Sequence, residues 1–291
     1  MRIILHAGVH ATDEDRLVKC LLKNTGLLAP LGTAVPGPSR YRSLIRDILA
    51  AMDDAPPAGD ARELLLDAIL EGDMPDRLLL SNENFFSVPK GAVSKGEFYP
   101  GAEVRLQKLR QVFAGDDLEL YMGLRNPATF LPAVLAQSPD MSFDDFLAGS
   151  DPFALSWSEL LGRIAQANPN LPITVWCNED TPLMWAELLR DTMGLPDGEK
   201  ISGGFDLITD LMTQAGMQRF RAYLKLHPVM TDDQKSRVIS AFLGKFARPD
   251  ALEEELDVPG WTAETVDRLT AAYEQDLARI ADLPNVRVLQ P

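Results

Sequence analysis

The first residues that could do chemistry lie in a glycine-containing loop close to the amino terminus. The run Ile3-Ile4-Leu5-His6 has the composition of a strand, and Ala7-Gly8-Val9-His10-Ala11-Thr12 follows it before a helix predicted to begin near Asp13. In α/β folds phosphate binds at such a strand–loop–helix, because free backbone N–H groups and the helix dipole point at the ligand. The layout predicts an anion site formed by the loop from Gly8 to Thr12.

The residues of this loop depart from those of a tight phosphate site. Such a loop normally carries a lysine and further glycines, whereas Ala11 and Asp13-Glu14-Asp15 stand here. A carboxylate about 6 Å from a phosphate charge costs roughly 3 kcal/mol at an effective dielectric near ~20, and a helix end returns only about 0.3–1 kcal/mol. We expect weak binding unless these side chains point away. The structural alternative is that Thr12 caps the helix and Asp15 occupies the capping-box position.

Two further hypotheses start from the same loop. His10 could exchange a proton near neutral pH, because an unperturbed histidine has a pKa of about 6.5. A histidine that is simply hydrogen-bonded to a neighbour is the commoner arrangement. Asp13-Glu14-Asp15 could also hold Mg²⁺ as a bridge to an anion, but this hypothesis ranks lowest because adjacent helix positions point in different directions. No metal is expected.

The elements that position this loop alternate between strand and helix. Aliphatic runs bounded by turn residues predict about five strands: Arg2–His6, Arg77–Leu80, Leu118–Leu124, Ile173–Cys177 and Val286–Leu289. Helical spacing predicts helices over Asp13–Leu28, Arg40–Met52, Asp60–Leu70, Ala102–Phe113, Pro127–Gln137, Ser156–Ala167, Pro182–Met193 and Val266–Ile280. The alternation predicts a three-layer α/β/α fold with a central parallel sheet. Residues 203–256 are predicted to be an inserted helical region within a single domain of residues 1–291.

Composition and charge narrow the class of function. The chain has 291 residues and a formal net charge of −15, so its average surface repels nucleic acid and anionic lipid. Cys20 and Cys177 each lie in an apolar stretch, which suggests neither a disulfide framework nor a zinc site. No apolar run reaches the roughly 20 residues of a membrane span. We therefore expect a cytoplasmic protein that binds neither nucleic acid nor membrane.

Two motifs resemble the sulfotransferases that use 3′-phosphoadenosine 5′-phosphosulfate, especially their divergent bacterial branch. In the loop, Gly8, His10 and Thr12 match a Gly-x-His-Lys-Thr-Gly-Thr-Thr pattern, in which Ala11 replaces the lysine. The second motif, Leu120-Tyr121-Met122-Gly123-Leu124-Arg125-Asn126-Pro127, resembles the strand and turn that hold the 3′-phosphate of the donor. The family has a serine eight residues after the arginine, where this chain has Ala133.

A third segment extends the resemblance downstream. Ser156-Trp157-Ser158-Glu159, Val175-Trp176-Cys177-Asn178-Glu179-Asp180 and Met184-Trp185 resemble a helix, strand and helix of the bacterial branch. Ser156 is also predicted to be a helix N-cap, because Glu159 follows three residues later. This segment is not catalytic in the family, but with it the resemblance covers most of the chain.

The resemblance implies a P-loop-type, sulfotransferase-like fold and a set of functional residues. Arg125 would bind the 3′-phosphate of the donor, and Gly8 and Thr12 would contact its other phosphate. Glu83, which follows the predicted strand Arg77–Leu80, would be the general base, and His10 a further catalytic group. Glu83 could instead face solvent in a loop. The acceptor would be a small molecule or a glycan.

Two functions remain open from the sequence. The leading hypothesis is a divergent sulfotransferase-like protein with a degenerate phosphate-binding loop and impaired or altered binding of the nucleotide donor. Lys90 and Lys95, in the long loop after Phe86, could supply charge that Ala11 does not. The alternative is a non-catalytic binding or scaffold protein that retains the fold and binds a protein partner through its acidic surface or its residues 203–256.

Overall fold

A six-stranded parallel sheet forms the centre of the computed structural model, which describes residues 1–53, 55–252, 258 and 260–291. The strands in chain order are β1 (Arg2–His6), β2 (Thr33–Ala34), β3 (Arg77–Ser81), β4 (Val93–Ser94), β5 (Glu97–Phe98), β6 (Asp117–Leu124), β7 (Ile173–Cys177) and β8 (Val286–Leu289). The order in the main sheet is β2-β3-β1-β6-β7-β8, and β4 and β5 form a separate antiparallel hairpin.

Helices cover both faces of this sheet. They are α1 (Arg16–Leu22), α2 (Thr25–Leu28), α3 (Pro38–Ala51), α4 (Ala61–Ile69), α5 (Ala102–Val112), α6 (Pro127–Ala136), α7 (Phe143–Leu147), α8 (Trp157–Ala167), α9 (Thr181–Met193), α10 (Asp206–Leu211), α11 (Gln214–Leu226), α12 (Asp232–Phe246), α13 (Pro249–Leu252) and α14 (Ala263–Ile280). The predicted three-layer α/β/α arrangement with a central parallel sheet is confirmed.

Two details of the predicted sheet and loops are corrected. The sheet has six strands rather than about five, because the two-residue strand β2 pairs with β3 through Thr33 and Ala34. A strand this short has no measurable alternation of apolar and polar residues. The loop after Phe86 is also not continuous, since it contains the β4–β5 hairpin.

Alternation along β1 divides the core between the two faces of the sheet. Ile3 and Leu5 belong to a large apolar cluster with residues of α3, α4, α5, α6 and α8. Ile4 belongs to a second cluster on the other face, with Leu17 and Leu21 of α1 and residues of α9. Since both faces are covered, β1 is buried on both sides, which is typical of the central strand of a parallel sheet.

Pairing of β1 with both β3 and β6 fixes the position of the candidate residues. His6 lies opposite Ser81 in β3 and opposite Tyr121 in β6. The carboxyl ends of these three parallel strands therefore meet at one edge of the sheet. The segments that follow them begin with the loop containing Gly8, the turn containing Glu83 and the turn containing Arg125.

The predicted helical region forms a layer outside the second apolar cluster. Helices α10, α11, α12 and α13 occupy residues 206–252, and residues 253–256 of the prediction lie outside the described part of the chain. Ile208, Phe220 and Ile239 form a small core of this layer. The layer contacts the rest of the chain mainly through α9, to which Ser236 is linked by a hydrogen bond from its hydroxyl to the Leu183 carbonyl (2.9 Å).

Candidate functional site

The sheet topology places a crevice between the ends of β1 and β6. Helix α1, which follows β1, packs on the face that holds Ile4, whereas α6, which follows β6, packs on the face that holds Leu5. The two connections therefore leave the sheet in opposite directions. In open α/β sheets this reversal creates the crevice outside the carboxyl ends of the strands in which ligands bind.

The loop between β1 and α1 is longer than the sequence predicts. Helix α1 begins at Arg16 instead of near Asp13, and Glu14 and Asp15 have left-handed φ angles of 49° and 65°. The predicted N-cap is wrong: the Thr12 hydroxyl donates a hydrogen bond to the Val9 carbonyl (2.6 Å) inside the loop. The N-cap position belongs to Asp15, whose side chain does not cap the helix.

Each of the three carboxylates after the loop is engaged by a partner of its own. The Asp13 carboxylate accepts a hydrogen bond from the backbone N–H of Leu17 (3.0 Å). Glu14 lies 3.5 Å from the Arg16 guanidinium at the surface. Asp15 accepts hydrogen bonds from two nitrogens of Arg42. Asp15 is therefore turned to Arg42 and does not line the cleft described below, whereas Asp13 and Glu14 do line it.

Arg42 is a residue beside the loop that the sequence does not single out. Its Nε donates to the Ser81 carbonyl at the end of β3 (3.0 Å), while its Nη atoms reach Asp15. Hydrogen bonding to Arg42 lowers the pKa of Asp15 below its usual range. The guanidinium thus ties α3, β3 and the loop together and balances one of the loop charges. Its position in α3, remote in sequence from the loop, gives no local signal of this role.

The open space in this crevice is a cleft of about 700 Å³. Residues 11–14 and Arg16 form one wall, and Arg125 and Thr129 form another. Trp185 of α9 and Leu207 and Leu211 of α10 add an apolar side. A cleft of this volume, with an apolar wall and a few polar groups, has the character of a small-molecule site.

Arg125 lies at the centre of the cleft wall and is nearly buried. Its Nε donates to the Thr129 hydroxyl (3.0 Å), and its Nη1 donates to the Ala11 carbonyl. The Trp157 indole in turn donates to the Arg125 carbonyl (2.9 Å). Arg125 therefore joins the turn after β6 to the loop after β1, and its role in binding a phosphate stays a prediction.

Thr129 supplies a hydroxyl near the place where the family has a serine. Ala133 stands at the predicted serine position, but Thr129, one turn earlier on α6, lines the cleft beside Arg125. Thr129 lies in the first turn of α6, and its hydroxyl accepts a hydrogen bond from Arg125 Nε (3.0 Å), which brings the two side chains together.

Gly8 and Glu83, both predicted as site residues, are in direct contact. Gly8 has a φ of 70°, and a Cβ added to it would lie 3.2 Å from Cα and Cβ of Glu83. Burial, followed by the negative charges of Asp13 and Asp15, raises the pKa of Glu83 above its usual range. A carboxylate with a raised pKa holds a proton more readily, which suits a general base.

His10 is placed as a buried, fully bonded side chain. Its Nδ1 lies 2.8 Å from the Tyr99 hydroxyl and its Nε2 lies 3.2 Å from Oδ1 of Asn84. Burial lowers its pKa. Both ring nitrogens are used within the fold, which is the arrangement expected of a structural histidine; its predicted catalytic role stays a prediction.

Glu179 is another residue of the cleft that the sequence does not single out. It follows β7, and its carboxylate accepts hydrogen bonds from the Asn126 backbone N–H (2.8 Å) and from the Tyr273 hydroxyl (3.3 Å). Part of the side chain is exposed, but the carboxylate lies among these groups, and desolvation raises its pKa. Glu179 thus fixes the turn that carries Asn126.

Of the predicted site residues, Thr12 and Arg125 line this cleft, whereas Gly8, His10 and Glu83 are not among its described lining residues, and the two predicted lysines lie outside it as well. Lys90 and Lys95 are exposed around the β4–β5 hairpin. In the part of the chain that the structure describes, no group of three or more histidine, cysteine or acidic side chains could hold a metal ion. Of the helices among these residues, none is long and apolar enough to cross a membrane.

Comparisons with known proteins give one match. No protein-family model matches the chain, and no curated protein sequence is similar to it. Among solved structures, a sulfotransferase from Alicyclobacillus acidocaldarius matches with 12% sequence identity and a TM-score of 0.36, over 71% of this chain and 89% of that one. A TM-score of this size does not establish a shared fold.

Proposed function

We propose that this protein transfers a sulfuryl group from 3′-phosphoadenosine 5′-phosphosulfate, bound in the cleft between β1 and β6, to a small-molecule or glycan acceptor. The observation that carries the proposal is the convergence of the loop, Arg125 and Thr129 on one cleft at the reversal of strand order. These are the segments on which the sequence resemblance rests, and the fold brings them together although more than a hundred residues separate them.

The loop would bind one phosphate through its backbone instead of through a lysine. The backbone N–H groups of residues 11–15 donate to no acceptor among the described residues. Ala11, Glu14 and Asp15 have left-handed φ angles, and successive backbone N–H groups in such turn conformations can form an anion-binding concavity. Donor binding is therefore altered relative to a loop with lysine, since dipoles replace a full positive charge.

The second phosphate would be bound by Arg125 together with Thr129. The Arg125 guanidinium would donate to the phosphate, and hydrogen bonds from a charged donor are the stronger kind. The Thr129 hydroxyl, which accepts from Arg125 Nε (3.0 Å) and donates to the Asn126 carbonyl (3.2 Å), would exchange the second bond for one to the phosphate. Pro182, Trp185 and Leu207 would contact the nucleoside through the apolar wall. The residues present thus fit a nucleotide that carries two phosphate groups.

The transfer step would use Glu83 as the general base. The acceptor hydroxyl oxygen forms a bond to the sulfur, and the bond between that sulfur and the bridging phosphate oxygen breaks. The hydroxyl proton passes to the Glu83 carboxylate, and the electron pair of the broken bond leaves with adenosine 3′,5′-bisphosphate. The raised pKa of Glu83 favours this protonation.

Calorimetry with adenosine 3′,5′-bisphosphate tests the proposal. We expect a Kd between about 10 and 100 µM, that is about −7 to −5.5 kcal/mol. Thr129→Val should raise the Kd about three- to tenfold by removing one hydroxyl, and Thr129→Ser should restore it. Arg125→Gln should raise the Kd at least about 30-fold through loss of a charged donor.

Two controls separate binding from folding. Arg110→Gln, at an exposed position of α5, makes the same change in net charge and should leave the Kd within about twofold. Because Arg125 also holds the Ala11 carbonyl, each variant is compared with the wild type by circular dichroism and urea unfolding. No heat of binding at millimolar nucleotide, in a folded wild-type protein, would reject the proposal.

A further inference from the structure

A second cleft, of about 890 Å³, lies between α3 and the segment that follows β3. Three arginines take part in its lining, together with apolar side chains. We call it the arginine cleft and define it by Arg42, Arg46, Leu49, Phe85, Val88 and Arg105. Three guanidinium groups around one cleft contrast with the formal net charge of −15 of the whole chain.

Two of the three arginines have weaker partners than Arg42 has. Arg42 is committed to Asp15 and the Ser81 carbonyl, as described above. Arg46 is exposed, and its ion pair (2.8 Å) is with the adjacent, equally exposed Asp47, so solvent screens it. Arg105 donates a long hydrogen bond of 3.4 Å to the Phe85 carbonyl. The nearby carboxylate of Asp53 is paired with Lys108.

Glu83 is a lining residue of neither the arginine cleft nor the cleft beside Arg125, which we call the donor cleft, but its neighbours relate it to both. Asn82 and Asn84, the neighbours of Glu83 in the chain, both take part in lining the arginine cleft. Glu83 itself packs on Gly8, in the loop whose later residues form a wall of the donor cleft. A group bound in the arginine cleft would therefore lie near the segment that carries the proposed general base.

We propose that the arginine cleft binds the acceptor, and that the acceptor carries an oxyanion, such as a carboxylate or a sulfonate, besides the hydroxyl that receives the sulfuryl group. This inference rests on the proposed function. Arg46 and Arg105 would bind the oxyanion, because a guanidinium pairs with planar or tetrahedral oxyanions through two parallel hydrogen bonds. The transfer step is the one written above, with the acceptor proton passing to Glu83.

The inference is tested by titrating the protein with three small phenols and measuring the NMR chemical shifts of each phenol. The probes are para-hydroxybenzoate, para-hydroxybenzenesulfonate and the neutral para-hydroxybenzamide, in low salt and in the presence of adenosine 3′,5′-bisphosphate. The two anions should bind about five- to tenfold more tightly than the amide, since two partly exposed charges contribute. Preference for one of the two anions would identify the kind of oxyanion that the acceptor carries.

Variants assign the preference to the arginine cleft. In the double variant Arg46→Gln/Arg105→Gln, the ratio of anion to amide affinity should fall below about twofold, while the amide affinity stays unchanged. Arg110→Gln is the matched control: it lies five positions after Arg105 on α5, about 140° around the helix, and should keep the preference. Equal affinity of the wild type for anions and amide would overturn the inference.

The inference and the proposed function fail in distinguishable ways. If adenosine 3′,5′-bisphosphate binds but the anion preference is absent or survives in the double variant, the acceptor assignment is wrong and the donor cleft stands. If the preference is present without the nucleotide and depends on Arg46 and Arg105, while no nucleotide binds, the arginine cleft is supported as an anion site and sulfuryl transfer is rejected.

Discussion

Asp276 links the last helix to the start of α8 through a set of hydrogen bonds, and the stability lost on their removal can be estimated. Its carboxylate is buried and accepts hydrogen bonds from the backbone N–H of Trp157 (2.7 Å) and of Ser158 (3.1 Å) at the start of α8. It also accepts hydrogen bonds from the hydroxyls of Ser156 and Ser158. The predicted N-cap is confirmed, since Ser156 accepts from the Glu159 backbone N–H (3.2 Å). Asp276 completes this cap from α14.

Substitution of Asp276 by alanine leaves these donors without their acceptor. Hydrogen bonds to a charged group contribute about 1.5–3 kcal/mol each, and they are not additive within one network. We expect a loss of about 3–4 kcal/mol of unfolding free energy, which corresponds to a decrease in Tm of roughly 6–8 °C for a chain of this size. Asp276→Asn should lose most of the same unfolding free energy, because its amide nitrogen is a donor and would face one of the N–H or O–H donors at the start of α8.

Asp276→Ala should lower the affinity of the cleft for its ligand as well as the stability of the fold. Trp157, the first residue of α8, donates from its indole to the Arg125 carbonyl. If the start of α8 shifts in Asp276→Ala, the Trp157 indole shifts with it and its hydrogen bond to the Arg125 carbonyl weakens. The Kd for adenosine 3′,5′-bisphosphate should therefore rise a few-fold under conditions in which the variant is folded. This step depends on the proposed function, whereas the stability loss does not.

Urea unfolding, followed by circular dichroism, measures the stability loss. Glu274→Ala, an exposed position of the same helix, is the matched control and should change the unfolding free energy by less than about 0.5 kcal/mol. A loss below about 1 kcal/mol in Asp276→Ala, with an unchanged slope against urea, would refute the reasoning that this carboxylate holds α8 in place.

Two further predictions concern the loop. Gly8→Ala combines a left-handed φ with a Cβ that meets Glu83, so it should destabilise the protein by about 1–3 kcal/mol. The control Gly162→Ala, in α8 with open space around it, should instead stabilise the protein by about 0.5–1 kcal/mol. An unchanged unfolding free energy in Gly8→Ala would contradict the contact with Glu83. Asp15→Asn should cost up to about 1 kcal/mol near pH 7, given the partial exposure of the ion pair. Because Arg42 depresses the pKa of Asp15 in the folded state, this stability is present above the unfolded pKa of about 3.9 and is lost as pH falls through the lower folded pKa. Urea midpoints that show the same cost at pH 7 and at acidic pH would disagree with that assignment.

The sequence predicted the central sheet well because its strands are short, apolar and bounded by turn residues. The range of β1 agrees with its prediction residue for residue, and so do those of β7 and β8. The helix predicted over Asp13–Leu28 was less accurate, because its start depends on loop geometry. Left-handed Glu14 and Asp15 extend the loop, and neither is a residue type that signals this conformation as glycine does.

The candidate site could be predicted only where a motif is local in sequence. Gly8, Thr12 and Arg125 belong to such motifs, and the strand pairing of β1 with β6 brings their segments together. Arg42 comes from a segment that carries no motif, and Glu179 from a segment to which the sequence assigned no role in the site; both reach it through tertiary packing. Their roles rest on contacts with Asp15 and with Asn126, and no spacing along the chain encodes these contacts.

The number of carboxylates in the loop sequence does not by itself predict how strongly the loop repels an anion. The sequence places Asp13, Glu14 and Asp15 together, and Coulomb's law applied to that cluster predicts repulsion of a phosphate. The fold turns Asp13 to the Leu17 backbone N–H and pairs Asp15 with Arg42. A charge paired within a few ångströms acts at a distance as a dipole, whose field falls off faster than that of a lone carboxylate. Replacement of Asp15 by threonine would therefore remove a paired charge and leave Arg42 without this partner, so its effect on the affinity of the loop for an anion should be smaller than the cluster of charges implies.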